Sequence, residues 1–301
     1  MKNRISVTIG IPAHNEEANI FNLIDSILFQ KSHISYIEKI IIIYSGHNSL
    51  KISQELNDKY KGKLTIITDS KRTSKIDKLN RISKLSQSDI TLILDGDIVI
   101  SDENLVENIS KPFIDDEDIL ITTPVLKPYS TKNLLQKILN TSIKAKIYSS
   151  DKWNNGDNYI KAIGRSCAYK TSFLKKITVP NLMTEDFFLY IKAKEQGGKI
   201  QEIKSSEIKF HLPKNLQDHV KQSSRFISLK KSFRHELDEN SIKKYGKIPL
   251  KIKLLIFKEM FFINPIHTFL YILILIYSKI YSTIFFSDKA EWNISQSTKN
   301  N

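Results

Sequence analysis

Residues Asp89 to Ile100 read D-I-T-L-I-L-D-G-D-I-V-I, and this stretch indicates the fold of the chain. Ile90 to Leu94 is a short apolar run rich in β-branched residues, which predicts a buried strand. The turn Asp95-Gly96-Asp97 follows directly, and carboxylates are costly to bury unless they are paired or bind a cation. Their oxygens are the ligands that Mg²⁺ and Mn²⁺ prefer, so the turn is a candidate metal site. A solvated turn is the alternative, because Asp and Gly are common turn residues.

Outward from this stretch, apolar strands alternate with segments of helical periodicity. Further strands are predicted at residues 5–11, 39–44, 64–68, 119–126 and 159–169, the last with a break at Gly164-Arg165. The alternation predicts an α/β protein with a mostly parallel, twisted sheet flanked by helices and joined by right-handed crossovers. No G-x-G-x-x-G follows the first strand and no P-loop motif occurs, so neither a Rossmann dinucleotide site nor a P-loop is supported.

The composition narrows the classes of partner. The chain has 301 residues, 46 Lys and Arg against 32 Asp and Glu, and a formal charge of +14. This charge favours nucleic acid, anionic lipid surfaces or phosphorylated substrates as partners. A single cysteine, Cys167, excludes an internal disulfide framework and fits a reducing compartment. The apolar stretch Ile5 to Ile11 is too short for a secretory signal, so we expect no cleaved leader.

The C-terminal third combines basic and apolar segments. Met260 to Ser278 contains no charged residue but is interrupted by Asn264-Pro265, while a membrane span needs about 20 predominantly apolar residues. Flanking Lys258 and Lys279 are typical of an interface. The sequence therefore predicts membrane association, either through a single weak span or through a helix in the membrane plane.

Two further patterns carry candidate functional residues. Glu185 and Asp186 open an amphipathic helix beside aromatic residues, where a partly desolvated carboxylate can act as a general base. An ordinary acidic first turn is the alternative. Gln222 and Arg225 share one face of a helix in a basic region, which is either a solvated surface or a site for phosphate or lipid head groups.

In this order, the motifs resemble the family 2 inverting glycosyltransferases with a GT-A fold, over about residues 5–230. The matched residues are Pro12, Asn15, Glu16 and Glu17 for Pro-x-x-Asn-Glu-Glu; Arg72, Lys75, Leu79 and Asn80 for Arg-x-Gly-Lys with Leu-Asn; Asp95 to Asp97 for Asp-x-Asp; Glu185-Asp186 for Glu-Asp; and Gln222 to Phe226 for Gln-x-x-Arg-Trp. Each motif alone is weak, and their shared order is specific.

The resemblance implies a role for each matched position. Asp95 and Asp97 would bind Mg²⁺ or Mn²⁺ on the donor diphosphate, and Asp186, beside Glu185, would be the base that deprotonates the acceptor. Gln222 and Arg225 would contact the diphosphate or the acceptor near the membrane. The donor nucleotide would be held by Pro12, His14, Glu16, Tyr44, Arg72, Lys75 and Asp95.

Three positions depart from the family pattern. Tyr44 stands where the family usually has an aspartate that binds the nucleotide base, so the choice of nucleotide is undefined. Ser74 replaces a glycine and Phe226 replaces a tryptophan. Because only one weak apolar segment follows, a polymer channel is not expected, and we expect transfer of a single sugar.

The resulting expectation is a metal-dependent glycosyltransferase with a nucleotide-sugar donor and a hydroxyl acceptor on a lipid-linked or cell-envelope glycan. We expect a GT-A domain at 1–235, a basic and apolar membrane-associating helical segment at 236–287 and a polar tail at 288–301. The protein is expected in the cytoplasm at the inner face of the cell membrane, on anionic lipid, without a nucleic-acid partner. A nucleotidyltransferase-like enzyme, a non-catalytic polyanion binder and an inactive family member are the alternatives.

Overall fold

The computed structural model describes residues 4–181, 184–227 and 236–285, with backbone only for residues 224–227 and 285. Its strands are β1 Ile5–His14, β2 Ser35–Ser45, β3 Thr65–Asp69, β4 Ile90–Leu94, β5 Ile98–Ile100, β6 Ile119–Pro128, β7 Ser166–Lys170 and β8 Lys199–Phe210. Its helices are α1 Ile20–Leu28, α2 Ser49–Tyr60, α3 Lys75–Leu85, α4 Leu105–Ser110, α5 Pro112–Asp115, α6 Leu134–Asp151, α7 Thr171–Leu174, α8 Glu185–Glu195, α9 Leu216–Ile227, α10 Glu239–Tyr245, α11 Leu250–Ile263 and α12 Pro265–Phe285.

The eight strands form one mixed sheet in the order β3-β2-β1-β4-β7-β6-β8-β5. Strands β1 to β4 are mutually parallel, as predicted, and so are β6 and β8. Strand β7 runs antiparallel to β4 and β6, and β5 runs antiparallel to β8. The α/β architecture with helices around the sheet is therefore confirmed, and strands β1 to β4 are parallel as predicted.

The topology brings distant segments to one edge of the sheet. Because β1, β2, β3 and β4 are parallel, the residues after all four strands lie along the same edge. Strand β7 is antiparallel, so its first residue, Ser166, pairs with Leu94 at the end of β4. Phe210, the last residue of β8, pairs with Ile98 just after the Asp95-Gly96-Asp97 turn. The ends of six strands therefore meet at this edge, together with the predicted residues that follow β1, β2, β3 and β4.

The predicted strand over residues 159–169 is only half correct. Residues 159–165 form turns, and the strand begins at Ser166. Tyr159 packs edge-on between the rings of Trp153 and Phe187, with ring centroids 5.5 and 5.3 Å away. The buried Asn158 amide donates hydrogen bonds to the Ser150 and Trp153 carbonyls, both at 2.8 Å, and fixes the turn. The apolar side chains here fill an aromatic cluster instead of a sheet.

The C-terminal helices pack onto the sheet domain. Helix α11 contacts α6, and α12 contacts both α6 and α9. Met260 of α11 and Tyr271 of α12 are buried in the main hydrophobic core. Helix α12 is longer than the clean apolar part of the sequence, because Pro265 starts it and the Asn264 side chain accepts a 2.9 Å bond from the His267 N–H. Residues Pro265–Ile284 are long and apolar enough to cross a membrane by length and composition.

Candidate active site

The Asp95-Gly96-Asp97 turn is held against α1. The Asn19 side-chain amide donates to the Gly96 carbonyl at 2.7 Å and to the Ile98 carbonyl at 2.8 Å. A Cβ on Gly96 would lie 2.7 Å from Cγ of Glu16, so only glycine allows this close approach. The turn is thus fixed by tertiary contacts and is not a loosely solvated connection.

Lys75 links the first predicted carboxylate of this turn to the acidic pair of α8. Its ammonium lies 2.6 Å from Oδ1 of Asp95 and 2.7 Å from Oε1 of Glu185, and it also donates to the Gly164 carbonyl. The side chain is 6% exposed. Burial alone would lower the pKa of Lys75, but the charges of Asp95 and Glu185 outweigh it and raise that pKa. Lys75 is therefore a fixed positive charge between two acids.

Arg165 pairs with the second carboxylate of the turn. Its guanidinium donates to both oxygens of Asp97 at 3.2 Å and lies 4.7 Å from the ring centroid of Phe210. In the sequence, Gly164-Arg165 indicates only a break in a strand, and no role was predicted for Arg165. The available signal is an arginine beside a predicted strand break, which is weak because the pairing depends on the antiparallel β7.

Asp186 lies at the same edge, with its carboxylate held by backbone amides. Oδ2 accepts a 3.0 Å hydrogen bond from the Gly164 N–H, and Oδ1 accepts a 2.8 Å bond from the Phe187 N–H. A Cβ on Gly164 would lie 3.3 Å from Oδ2 of Asp186. Burial, and then the negative charge of Glu185, raise the pKa of Asp186 to about 6. A carboxyl with such a pKa can exchange a proton near neutral pH.

Tyr44 does not reach the surface of the site. It is fully buried, and its hydroxyl oxygen accepts a 3.0 Å hydrogen bond from the Glu16 N–H. Burial, and then the charge of Glu17, raise the pKa of Tyr44. Tyr44 therefore supports the loop after β1.

A second buried lysine, Lys78, lies between the ends of β1 and β2. Its ammonium donates to the Ala13 carbonyl and, at 2.6 Å, to Oγ of Ser45. Nδ1 of His14 lies 2.9 Å from the same hydroxyl. Lys78 was not predicted, because a lysine three residues after Lys75 gives no sign in the sequence that it is buried.

The remaining predicted residues are more dispersed. Pro12 lies in β1 and pairs with Ile43 of β2. Arg72 is exposed on the segment between β3 and α3. Gln222 is half-buried on α9, whereas the side chains of Arg225 and Phe226 lie outside the described part of the chain. The described contacts therefore do not connect α9 directly to the carboxylates.

The two carboxylates of the turn have the chemistry of a metal site that substrate completes. Within residues 4–181, 184–227 and 236–285, no three His, Cys, Asp or Glu side chains converge in a metal-binding arrangement. Mg²⁺ is usually bound by one or two carboxylates together with substrate phosphates. The side chains of Asp95 and Asp97 are 21% and 17% exposed, so both are partly accessible at this edge. These residues fit such a partial site.

Comparison with known proteins places this geometry in a family. The profile described as "Glycosyltransferase like family 2" matches residues 4–234. No curated protein sequence matches the chain at a significant level.

Many solved structures are similar to this chain, including the following two. A mannosyltransferase, PcManGT from Pyrobaculum calidifontis in complex with GDP-Man and Mn²⁺, is 15% identical, with a TM-score of 0.70 over 95% of this chain and 89% of that chain. Glucosyl-3-phosphoglycerate synthase from Mycobacterium tuberculosis, with Mn²⁺, UDP and phosphoglyceric acid, is 14% identical, with a TM-score of 0.54 over 78% of this chain and 80% of that chain. These likenesses confirm the GT-A-like fold, and the family match shows that the chain belongs to glycosyltransferase-like family 2 and is a glycosyltransferase.

Proposed function

We propose that the protein transfers a single sugar from a nucleotide-activated donor to an acceptor hydroxyl, with inversion at the anomeric carbon. The observation that supports this best is the convergence of the Asp95-Gly96-Asp97 turn and Asp186 at one edge of the sheet. Lys75 joins the two through its ion pairs with Asp95 and Glu185. A candidate diphosphate site and a candidate base therefore belong to one constellation.

Asp95 and Asp97 are the residues that would hold a divalent metal. The similar structures contain Mn²⁺ with GDP-Man or with UDP, and Mg²⁺ with UDP. When bound, such an ion neutralises the charge that develops on the leaving diphosphate. Lys75 and Arg165 keep the two carboxylates oriented, and both are cations beside the place where an anionic donor binds.

Asp186 is the proposed general base. Its carboxylate accepts the acceptor hydroxyl proton while the acceptor oxygen forms a bond to the anomeric carbon. The bond from that carbon to the diphosphate oxygen breaks, and the nucleotide diphosphate leaves with the electron pair. One displacement gives one inversion. The raised pKa of about 6 supports this role, because the base is ionised at neutral pH yet basic enough to accept a proton.

The nucleotide is proposed to bind along the ends of β1 and β2. Pro12, His14 and Glu16 lie there, with Tyr44 behind Glu16 as a support, while Arg72 and Lys75 face the same edge from the β3–α3 side. Because Tyr44 is buried, the base contacts would come from His14 and its neighbours. Discrimination among nucleotides then depends on hydrogen bonds at this edge.

The acceptor is proposed to be lipid-linked or part of a cell-envelope glycan at the cytoplasmic face of the membrane. The charge of +14 and the apolar helix α12 support a membrane location. Gln222 and Arg225 on α9 are proposed to contact the acceptor or the diphosphate. The division into a GT-A domain at 1–235 and a membrane-associating segment at 236–287 is part of this proposal.

Binding calorimetry tests the donor site. UDP, GDP, CDP and dTDP are titrated with and without Mn²⁺ into the wild type, Asp97→Ala and the control Asp118→Ala, whose side chain is 63% exposed. We expect Mn²⁺-dependent binding of one diphosphate to the wild type and the control, and its loss in Asp97→Ala. Binding that Asp97→Ala leaves unchanged, or release of pyrophosphate from a nucleoside triphosphate, would refute the proposal.

A further inference from the structure

Helix α12 exposes more apolar surface than is usual for a helix in contact with water. Its buried stripe consists of Thr268, Tyr271, Ser278 and Ser282, and Leu270, Ile274 and Leu275 pack partly buried beside this stripe. Its opposite face is apolar, 47–69% exposed at each position, and consists of Ile266, Phe269, Leu273, Ile276, Ile280 and Ile284. A helix in contact with water normally places its apolar residues inward. The outer face of α12 is therefore suited to an apolar solvent.

Helix α11 has a matching face. Leu250, Leu254, Phe257 and Phe261 recur at helical spacing, and each is between 42% and 71% exposed. Ile252 and Met260 on the other side of the helix are buried. We call these exposed apolar residues of α11 and α12 together the apolar face. Exposed apolar surface repeated over two helices indicates a membrane or a protein partner.

The charges around the apolar face favour a lipid membrane. Helices α11 and α12 carry the lysines Lys251, Lys253, Lys258 and Lys279 and a single acidic residue, Glu259. All four lysines are exposed, and the Lys258 ammonium lies 5.8 Å from the ring centroid of Phe262. Long basic side chains beside exposed aromatic and aliphatic residues are typical of helices at an anionic bilayer surface.

The contacts of α12 with the rest of the protein indicate whether it lies parallel to the bilayer surface or crosses the bilayer. Nδ1 of His267 lies 3.0 Å from Oγ1 of Thr141, and the Tyr271 hydroxyl accepts a 3.0 Å bond from Lys146, both partners being in α6. The buried stripe continues to Ser282, so α12 lies against the protein over most of its length. If α12 crossed the bilayer, the lysine-rich α6 would have to enter the hydrocarbon with it, which is strongly unfavourable.

We propose that α11 and α12 form an in-plane docking surface for an anionic bilayer, with the apolar face in the lipid and neither helix crossing it. This inference deepens the membrane part of the proposed function, and its test does not depend on sugar transfer. It also chooses the in-plane helix over the single weak span, the two forms of membrane association that the sequence leaves open.

The docking surface is connected to the site. Helix α6 begins beside the segment after β8, where the Asn133 amide donates to the Lys214 carbonyl at 2.9 Å and Gln136 donates to the Leu212 carbonyl at 3.1 Å. Two residues earlier, Phe210 lies under the Arg165 guanidinium that pairs with Asp97. Helix α6 and the segment after β8 therefore connect the docking surface to Asp97. This connection would bring an acceptor hydroxyl at the level of the lipid head groups towards the site.

The first test measures binding to vesicles. Sedimentation with phosphatidylcholine vesicles, with and without phosphatidylglycerol, is compared for the wild type, Phe269→Glu/Leu273→Glu and the control Phe29→Glu/Leu50→Glu, whose residues are 77% and 74% exposed elsewhere. We expect the control to bind like the wild type, and the α12 variant to bind on the order of a hundredfold more weakly. Wild-type binding should strengthen with phosphatidylglycerol.

The second test measures how deeply three positions of α12 lie in the bilayer. Ile266→Cys, Leu273→Cys and Ile280→Cys are labelled with a spin probe, while the buried Cys167 stays in place. Equal depths at the three positions support an in-plane helix, whereas a steady change in depth along α12 would show a span and overturn the proposal.

The docking proposal would also be overturned if the protein did not bind vesicles and light scattering showed a stable dimer. That result would assign the apolar face to contact with a second copy of the chain. Nucleotide diphosphate binding, measured on the same preparations, separates a failure of the docking surface from a failure of the catalytic proposal.

Discussion

Asp186→Asn should abolish transfer and, at neutral pH, stabilise the protein. The pKa of Asp186 is raised from 3.8 to about 6, so the folded state favours the protonated carboxyl. At roughly 1.4 kcal/mol per pKa unit, keeping Asp186 ionised at pH 8 costs about 3 kcal/mol of folding free energy. Asparagine removes the charge but can accept only one of the two bonds from the Gly164 and Phe187 amides, a loss of about 1–2 kcal/mol.

The net expectation is a free energy of unfolding about 1–2 kcal/mol higher than that of the wild type at pH 8. The sign follows from proton binding. Between the unfolded pKa of 3.8 and the folded value of about 6, the unfolded state binds fewer protons at Asp186, so wild-type stability falls as pH rises through this window. Below the unfolded pKa both states are protonated, and the advantage of the variant disappears.

Two assays check this prediction. Urea unfolding at pH 4 to 8 gives the stability difference, and the transfer rate gives the catalytic loss. In the wild type the rate should also fall about tenfold per pH unit below a pH of about 6. A stability difference that does not change with pH would show that the carboxyl is not perturbed, and retained transfer by Asp186→Asn would remove Asp186 from the role of base.

Two further substitutions test the framework of the site. Lys75→Met leaves the buried Glu185 and the half-buried Asp95 without their shared cation, so urea unfolding at pH 7 should show a loss of about 3 kcal/mol, partly recovered by adding Glu185→Gln. An unchanged midpoint would contradict the bridging role. Gly96→Ala places a Cβ 2.7 Å from Cγ of Glu16 and should displace the turn, so Mn²⁺-dependent diphosphate binding should weaken while Gly62→Ala, in open space at a positive φ, changes only stability. Equal diphosphate affinities in both glycine variants would contradict the close-approach argument.

Local patterns in the sequence predicted most of the architecture. The apolar run 90–94 and the strands predicted before it at residues 5–11, 39–44 and 64–68 depend on short-range patterns, and the structure has a strand at each of these places, with β2 extended to Ser35–Ser45. The half-wrong strand at residues 159–169 shows the limit of such patterns. Tyr159 is half-buried against Trp153 and Phe187, and these aromatic contacts are not visible in a strand pattern.

The residues of the site also divide into those that the sequence indicates and those that only the structure shows. Acidic residues at a strand end and at a helix start are recognisable in the sequence, so sequence patterns alone made the carboxylates candidates, although their roles stay predictions. The partners of these carboxylates were not all recognisable. Lys75 was expected to contact the donor, but its bridge from Asp95 to Glu185 spans segments far apart in the sequence.

The sequence by itself determined strands β1 to β4 and β6, the positions of the acidic turns and the presence of a basic, apolar C-terminal region, because these depend on neighbours along the chain. Strands β5 and β8 are not among its predicted strands. Only the tertiary structure decided that Arg165 pairs with Asp97, that Tyr44 is buried behind Glu16 and that α12 exposes its part of the apolar face. Each of these depends on side-chain direction and on contacts between distant segments. Sheet topology and packing set those contacts, and local preference does not.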